Sequence, residues 1–162
     1  MLKELVEMNR CLFLDRIENW QAALRISCEP LIKDGIVEET YGEELIQNVN
    51  KYGPYIVLAP GLAIPHAMEG AKGVKGTGIS FMKVKEPVHF DPEDPEKYAV
   101  VFFTLAATDS KTHLKNMRRL CQILSNEKLL GELMEVTSPE GLIRLQEKYS
   151  AELGEVDNVA LD

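Results

Sequence analysis

The run Tyr98-Ala99-Val100-Val101-Phe102-Phe103-Thr104-Leu105 is apolar at consecutive positions instead of alternate ones. Successive side chains of a strand point to opposite faces, so a strand of this composition needs apolar cover on both. It belongs in the middle of a sheet, with helices packed on either side. The remaining chain supplies both kinds of element. Cys11-Leu12-Phe13-Leu14 and Tyr55 to Ala59 read as short strands, and Ile79-Ser80-Phe81-Met82-Lys83-Val84 alternates like a half-buried one.

Helical periodicity is clearest where Ile17, Trp20, Leu24, Cys28 and Leu31 fall on one face, with Pro30 ending that helix near Glu29 and Gly35 as a stop. Thr40 to Asn50 predicts a second helix burying Leu45, Ile46 and Val49, and Thr40 with Glu43 has capping-box spacing. Thr108 to His113 offers several caps for a helix whose Leu114, Met117, Cys121 and Leu124 share a face. Asn126 to Met134 and Ser138 to Lys148 predict two more. Strand and helix signals that alternate in this way indicate an α/β fold.

At 162 residues the chain suits one domain, assigned to residues 1–150, with the acidic stretch 151–162 as a mobile tail. The net charge of −8 disfavours nucleic acid and anionic membrane surfaces and favours a basic protein partner. No apolar run reaches the roughly 20 residues of a membrane span, and Met1 to Leu5 lacks a signal peptide's apolar core, so a cytoplasmic location is expected. Cys11, Cys28 and Cys121 are scattered and contain no Cys-x-x-Cys pair. They read as reduced core residues, and neither a disulfide framework nor a zinc knuckle is indicated.

The stretch with chemistry in it is Pro60-Gly61-Leu62-Ala63-Ile64-Pro65-His66-Ala67. Pro60-Gly61 breaks an apolar run, and Pro65 fixes φ and removes a donor immediately before His66. On periodicity alone His66 is a part-buried imidazole hydrogen-bonded at a strand end. Met68 to Gly78, with Lys72 and Lys75, lacks both nucleotide-binding glycine signatures and reads as a flexible, solvated loop. His89 reads as an exposed strand-end residue, and His113, on its own, as a surface or capping histidine.

Pro60 to Ala67 resembles the active-site signature of enzyme IIA domains of the mannitol and fructose class (type 2) in the bacterial phosphoenolpyruvate-dependent sugar phosphotransferase system. With Gly53-Pro54-Tyr55-Ile56-Val57 ahead of it, the stretch is most similar to the ascorbate-type branch. The resemblance implies a mixed β-sheet flanked by helices on both faces, and no metal or organic cofactor. It also implies that His66 accepts phosphate from the small carrier HPr and passes it to an enzyme IIB. His113, in Asp109-Ser110-Lys111-Thr112-His113-Leu114, matches the histidine that approaches the phosphorylated one in related domains. It would donate a hydrogen bond to the transferring group, helped by free backbone N–H groups at its helix start. Better-known branches carry an arginine where this chain reads Gln47-Asn48-Val49-Asn50-Lys51. That departure argues against a guanidinium clamp and leaves Asn50 as a donor and Lys51 as a charge. The same fold and histidine also serve nitrogen-linked regulatory proteins that act by binding other proteins, and a single free-standing domain is compatible with either role.

Overall fold

In chain order, the described residues (1–68 and 70–153) of the computed structural model form α1 (Leu2–Glu7), β1 (Cys11–Leu14), α2 (Trp20–Ser27), α3 (Glu29–Lys33), α4 (Tyr41–Tyr52), β2 (Val57–Ala59) and β3 (Gly61–Ala63). They continue with β4 (Gly78–His89), β5 (Tyr98–Ala106), α5 (Ser110–Leu124), α6 (Glu127–Leu133), α7 (Pro139–Lys148) and α8 (Ser150–Leu153). The five strands make one sheet in the order β1-β4-β5-β3-β2, so β5 is the middle strand, as its composition requires. β5 runs antiparallel to β4 and parallel to β3, and β1 runs parallel to β4, which makes the sheet mixed.

Two separate cores cover the two faces. Phe81, Phe103 and Leu105 pack with Leu2 and Leu5 of α1, Leu120 and Ile123 of α5, Leu129 of α6 and Leu142 of α7. Met82, Val84 and Phe102 pack with Leu24 of α2, Leu31 of α3 and Leu45 and Val49 of α4. The neighbours Phe102 and Phe103 are both fully buried, yet they enter opposite cores. Each contributes about 1.5–3 kcal/mol of apolar burial. The α/β fold with helices on both faces is therefore as expected.

Several local expectations change. β4 is buried at every residue from Gly78 to Val84, where alternation had predicted a half-buried strand. The two cores cover both of its faces, Phe81 entering one and Met82 and Val84 the other, and its polar Ser80 is accommodated by donating to the Ser27 carbonyl at 2.9 Å. The helix predicted from Ile17 is two helices. Asn19 caps α2 by accepting from Ala22 N at 2.8 Å, and Pro30 sits in the first turn of α3, where no intrahelical donor is needed. Leu24, Cys28 and Leu31 are buried as predicted, while Trp20 is half-buried and stacks on Phe90.

The Thr40–Glu43 capping box is not made. Thr40 has helical dihedrals and no side-chain cap bond, and Glu43 pairs with Arg25 at 2.6 Å. In α5 the buried stripe is Leu120 and Ile123, and Leu114 and Cys121 face outward. Cys28 is the buried cysteine, and Cys11 is half-buried. The second half of the loop before β4 is tied down. Val74 bridges Val37, Glu38 N donates to Gly73 O at 2.8 Å, and Gly73 N donates to Glu44 Oε1 at 2.9 Å. Residues 151–153, assigned by composition to the tail, belong to α8, with Leu153 buried in the α1/α5 core. The rest of that tail, 154–162, lies outside the described residues.

Candidate functional site

The histidine is delivered by a small hairpin at one side of the sheet. β2 starts only at Val57, and Tyr55 lies in the turn before it instead of in the strand. After Pro60, Gly61 adopts φ +90°, a conformation only glycine takes without strain, and a Cβ there would meet Met134 Cε at 3.0 Å. β3 then pairs with β2 and β5 before the chain leaves the sheet at Ile64-Pro65-His66. Ile64 N donates to Ile56 O at 2.8 Å, and Leu105 N of β5 donates to Pro65 O at 2.9 Å. Proline's missing N–H thus costs nothing here, and its carbonyl anchors the segment to the middle strand.

Two tyrosines hold the peptide on either side of the ring. The Tyr55 hydroxyl donates to His66 O at 2.6 Å, and its ring meets the imidazole edge-on, with centroids 5.2 Å apart at 89°. Asn48 of α4 bonds that same hydroxyl. The Tyr41 hydroxyl, buried under the loop, donates to Leu105 O at 2.6 Å and accepts from Ala67 N at 3.2 Å. Burial raises the Tyr41 ionisation well above its ordinary range, so the hydroxyl keeps the proton it donates.

The ring itself is fixed by one bond. His66 Nδ1 lies 2.7 Å from Ile64 O. A carbonyl only accepts, so Nδ1 carries a proton, and in the neutral ring the lone pair is on Nε2. His66 is half-buried on the wall of a groove of about 860 Å³, and His113 of α5 lines the same groove. Its walls are otherwise mainly apolar, with Ile64, Ala106 and Met117 inside and the exposed Leu58 and Met68 at the rim.

The helix start beside His113 differs from expectation. Asp109 caps α5 by accepting from Lys111 N at 3.1 Å and from the Thr112 hydroxyl and amide, and its backbone carbonyl takes His113 N at 3.0 Å. These bonds hold the Asp109 carboxyl below its usual range. The amides of Lys111, Thr112 and His113 are therefore occupied, and an anion sits where free donors were expected.

Asn50 and Lys51 are exposed and do not line the groove, and Lys51 Nζ lies over the Tyr52 ring at 5.1 Å. Lys75 pairs with Glu38 at 3.1 Å, Lys72 is exposed, and His89 ends β4 at the surface beside Tyr98. None of them joins the two histidines.

Tyr41→Phe is expected to lower stability by about 1–3 kcal/mol, because it strips a donor from buried Leu105 O and an acceptor from Ala67 N. Chemical denaturation followed by far-UV circular dichroism measures this. An unchanged midpoint would mean that water replaces the hydroxyl at no cost.

Comparison with known proteins agrees with this geometry. Residues 4–149 match the family described as "Phosphoenolpyruvate-dependent sugar phosphotransferase system, EIIA 2". The ascorbate-specific PTS system EIIA component of Escherichia coli (strain K12) is 30% identical over 135 residues, covering 83% of this chain and 86% of that protein. Among solved structures, a putative PTS IIA domain from Streptococcus pyogenes M1 GAS superposes with a TM-score of 0.76 at 30% identity, over 93% of this chain and 96% of that one. The mannitol-specific cryptic phosphotransferase enzyme IIA from Escherichia coli gives 0.72 at 26% identity, over 85% and 90%. With residues 4–149 matched to that family and relatives 30% identical over most of its length, this chain belongs to the EIIA type 2 family of the sugar phosphotransferase system.

Proposed function

We propose that the protein is a phosphocarrier that takes phosphate from phospho-HPr onto Nε2 of His66 and passes it to the cysteine of an enzyme IIB. The observation that carries this is the single bond from Nδ1 to Ile64 O in a residue that lines the groove, which in the neutral ring leaves the lone pair on Nε2. Attack by that lone pair forms the N–P bond as the bond from phosphorus to the HPr histidine breaks, and transfer onward reverses the roles. Phosphoryl transfer of this kind passes through a loose transition state, so the protein mainly has to align the three atoms and stabilise charge on the equatorial oxygens. The backbone bonds around His66 supply alignment, and the His113 ring is the donor for the oxygens. The similarity to ascorbate-specific relatives favours an ascorbate-type IIB as the acceptor over a purely regulatory role.

Mass spectrometry after incubation with phosphoenolpyruvate, enzyme I and HPr tests the reading. One acid-labile, base-stable phosphoryl group on His66, discharged by an ascorbate-type IIB, is the expected result. A label elsewhere would reject it, and a stable phosphoprotein that no IIB discharges would favour the regulatory role.

A further inference from the structure

A second cavity, of about 600 Å³, opens at the opposite end of the sheet from His66. Along β5 it lies beside Val100, five residues from Leu105, roughly 16 Å away at about 3.3 Å per residue. The ladder is interrupted here: Lys83 faces Val101 and Val88 faces Ala99, so Val84 to Pro87 have only Val100 opposite them. The bulge separates β4 from β5 and leaves a hollow between the strands and the end of α6. Phe13, Val100 and Met134 form its apolar wall.

Lys83 and Lys85 line this hollow. Lys83 is only 7% exposed, on the second strand of the sheet, and it makes no hydrogen bond or ion pair to any described residue. Glu135 lies near enough to act on its charge but does not pair with it. The Lys83 stem is buried, but its ammonium is not among the buried side-chain atoms left without a partner, so the charge opens into the hollow and is met there by water or by a ligand. Burial pushes the Lys83 ionisation down. A cavity of this size, mainly apolar with a few convergent charges, is typical of small-molecule sites.

The charges also restrict the ligand. Asp15 and Glu135 stand at the same cavity as the two lysines, so the walls sum to no net charge. A wall of no net charge gives a doubly charged anion no advantage, and the apolar wall favours a ligand that brings an apolar body with its charge. We propose that this cavity binds a small organic carboxylate, with the carboxylate on Lys83 and an apolar body against Phe13 and Met134. The inference does not depend on the His66 reading, since the two sites share no residue.

The test is an NMR titration of the intact protein with hexanoate, run beside inorganic phosphate and repeated on Lys83→Met. Hexanoate is expected to shift Phe13, Val136 and the Lys83 ε-methylene saturably in the millimolar range, with phosphate giving no saturable shift. Lys83→Met should weaken hexanoate binding at least tenfold. Phosphorylation of His66 should be unchanged in this variant. A non-saturating response to hexanoate, equal binding by Lys83→Met, or equal shifts with phosphate would each overturn the proposal. If Lys83→Met does not fold, the wild-type Lys83 signal decides alone: hexanoate must raise its ionisation midpoint, and an unmoved midpoint overturns the proposal.

Discussion

His66→Ala should accept no phosphate from phospho-HPr, and its transfer rate should fall below detection. The substitution removes the only atom proposed to bond phosphorus, so no residual pathway of the kind left by losing a hydrogen bond remains. Intact-mass spectrometry over a time course, with circular dichroism to show that the fold persists, measures it. The position of the phosphoryl group on the ring is a finer expectation. Because Nδ1 is held at 2.7 Å by Ile64 O, phosphorus NMR should report the Nε2 isomer. The Nδ1 isomer would require that bond to break and the ring to turn, and finding it would overturn the orientation argued above. Normal labelling of His66→Ala would overturn the assignment altogether.

The second large effect concerns His113. If its ring donates to the equatorial oxygens, His113→Ala should still be phosphorylated but should pass the group on about 10²–10³-fold more slowly, the usual loss for one transition-state donor. The structure sharpens this expectation. The amides of Lys111, Thr112 and His113 are taken by Asp109, so these three do not compensate. His113→Gln keeps an N–H and should recover part of the rate. Single-turnover transfer to the cognate IIB separates the cases: equal rates for wild type, Ala and Gln would reduce His113 to a groove-lining residue. Loss of phosphorylation in a folded His113→Ala would mean that acceptance from HPr needs it as well.

The central strand could be read from the sequence because the requirement for two apolar faces is local: each residue from Tyr98 to Leu105 states it independently. β4 was misjudged for the converse reason. Ser80 and Lys83 look like solvent positions until the tertiary structure provides a Ser27 carbonyl for one and a cavity for the other. In α5, Leu114 and Leu120 are equally apolar, and only the approach of α1 and α6 decides that the second is buried. Pro65-His66 marked the candidate site because proline constrains its own neighbourhood. Tyr41 had no such mark. It lies 25 residues before His66, and its hydroxyl acquires a role only when α4 is laid against the end of β5. The same is true of the Thr40–Glu43 pair, whose spacing was correct for a cap but whose glutamate found a better partner in Arg25.

The bonds around His66 form a closed circuit. Pro65 O is held by Leu105 N, Leu105 O by the Tyr41 hydroxyl, and that hydroxyl by Ala67 N, so the loop returns to itself through the middle strand. A segment attached at one end can fray, whereas one closed through β5 opens only when the strand loosens. In hydrogen-exchange terms, the Leu105 and Ala67 amides should exchange by near-global opening, on the slow timescale of the sheet and not on that of a surface loop. The histidine would then present one fixed nitrogen to every protein that docks at the groove, and recognition would rest on the movement of the visitor.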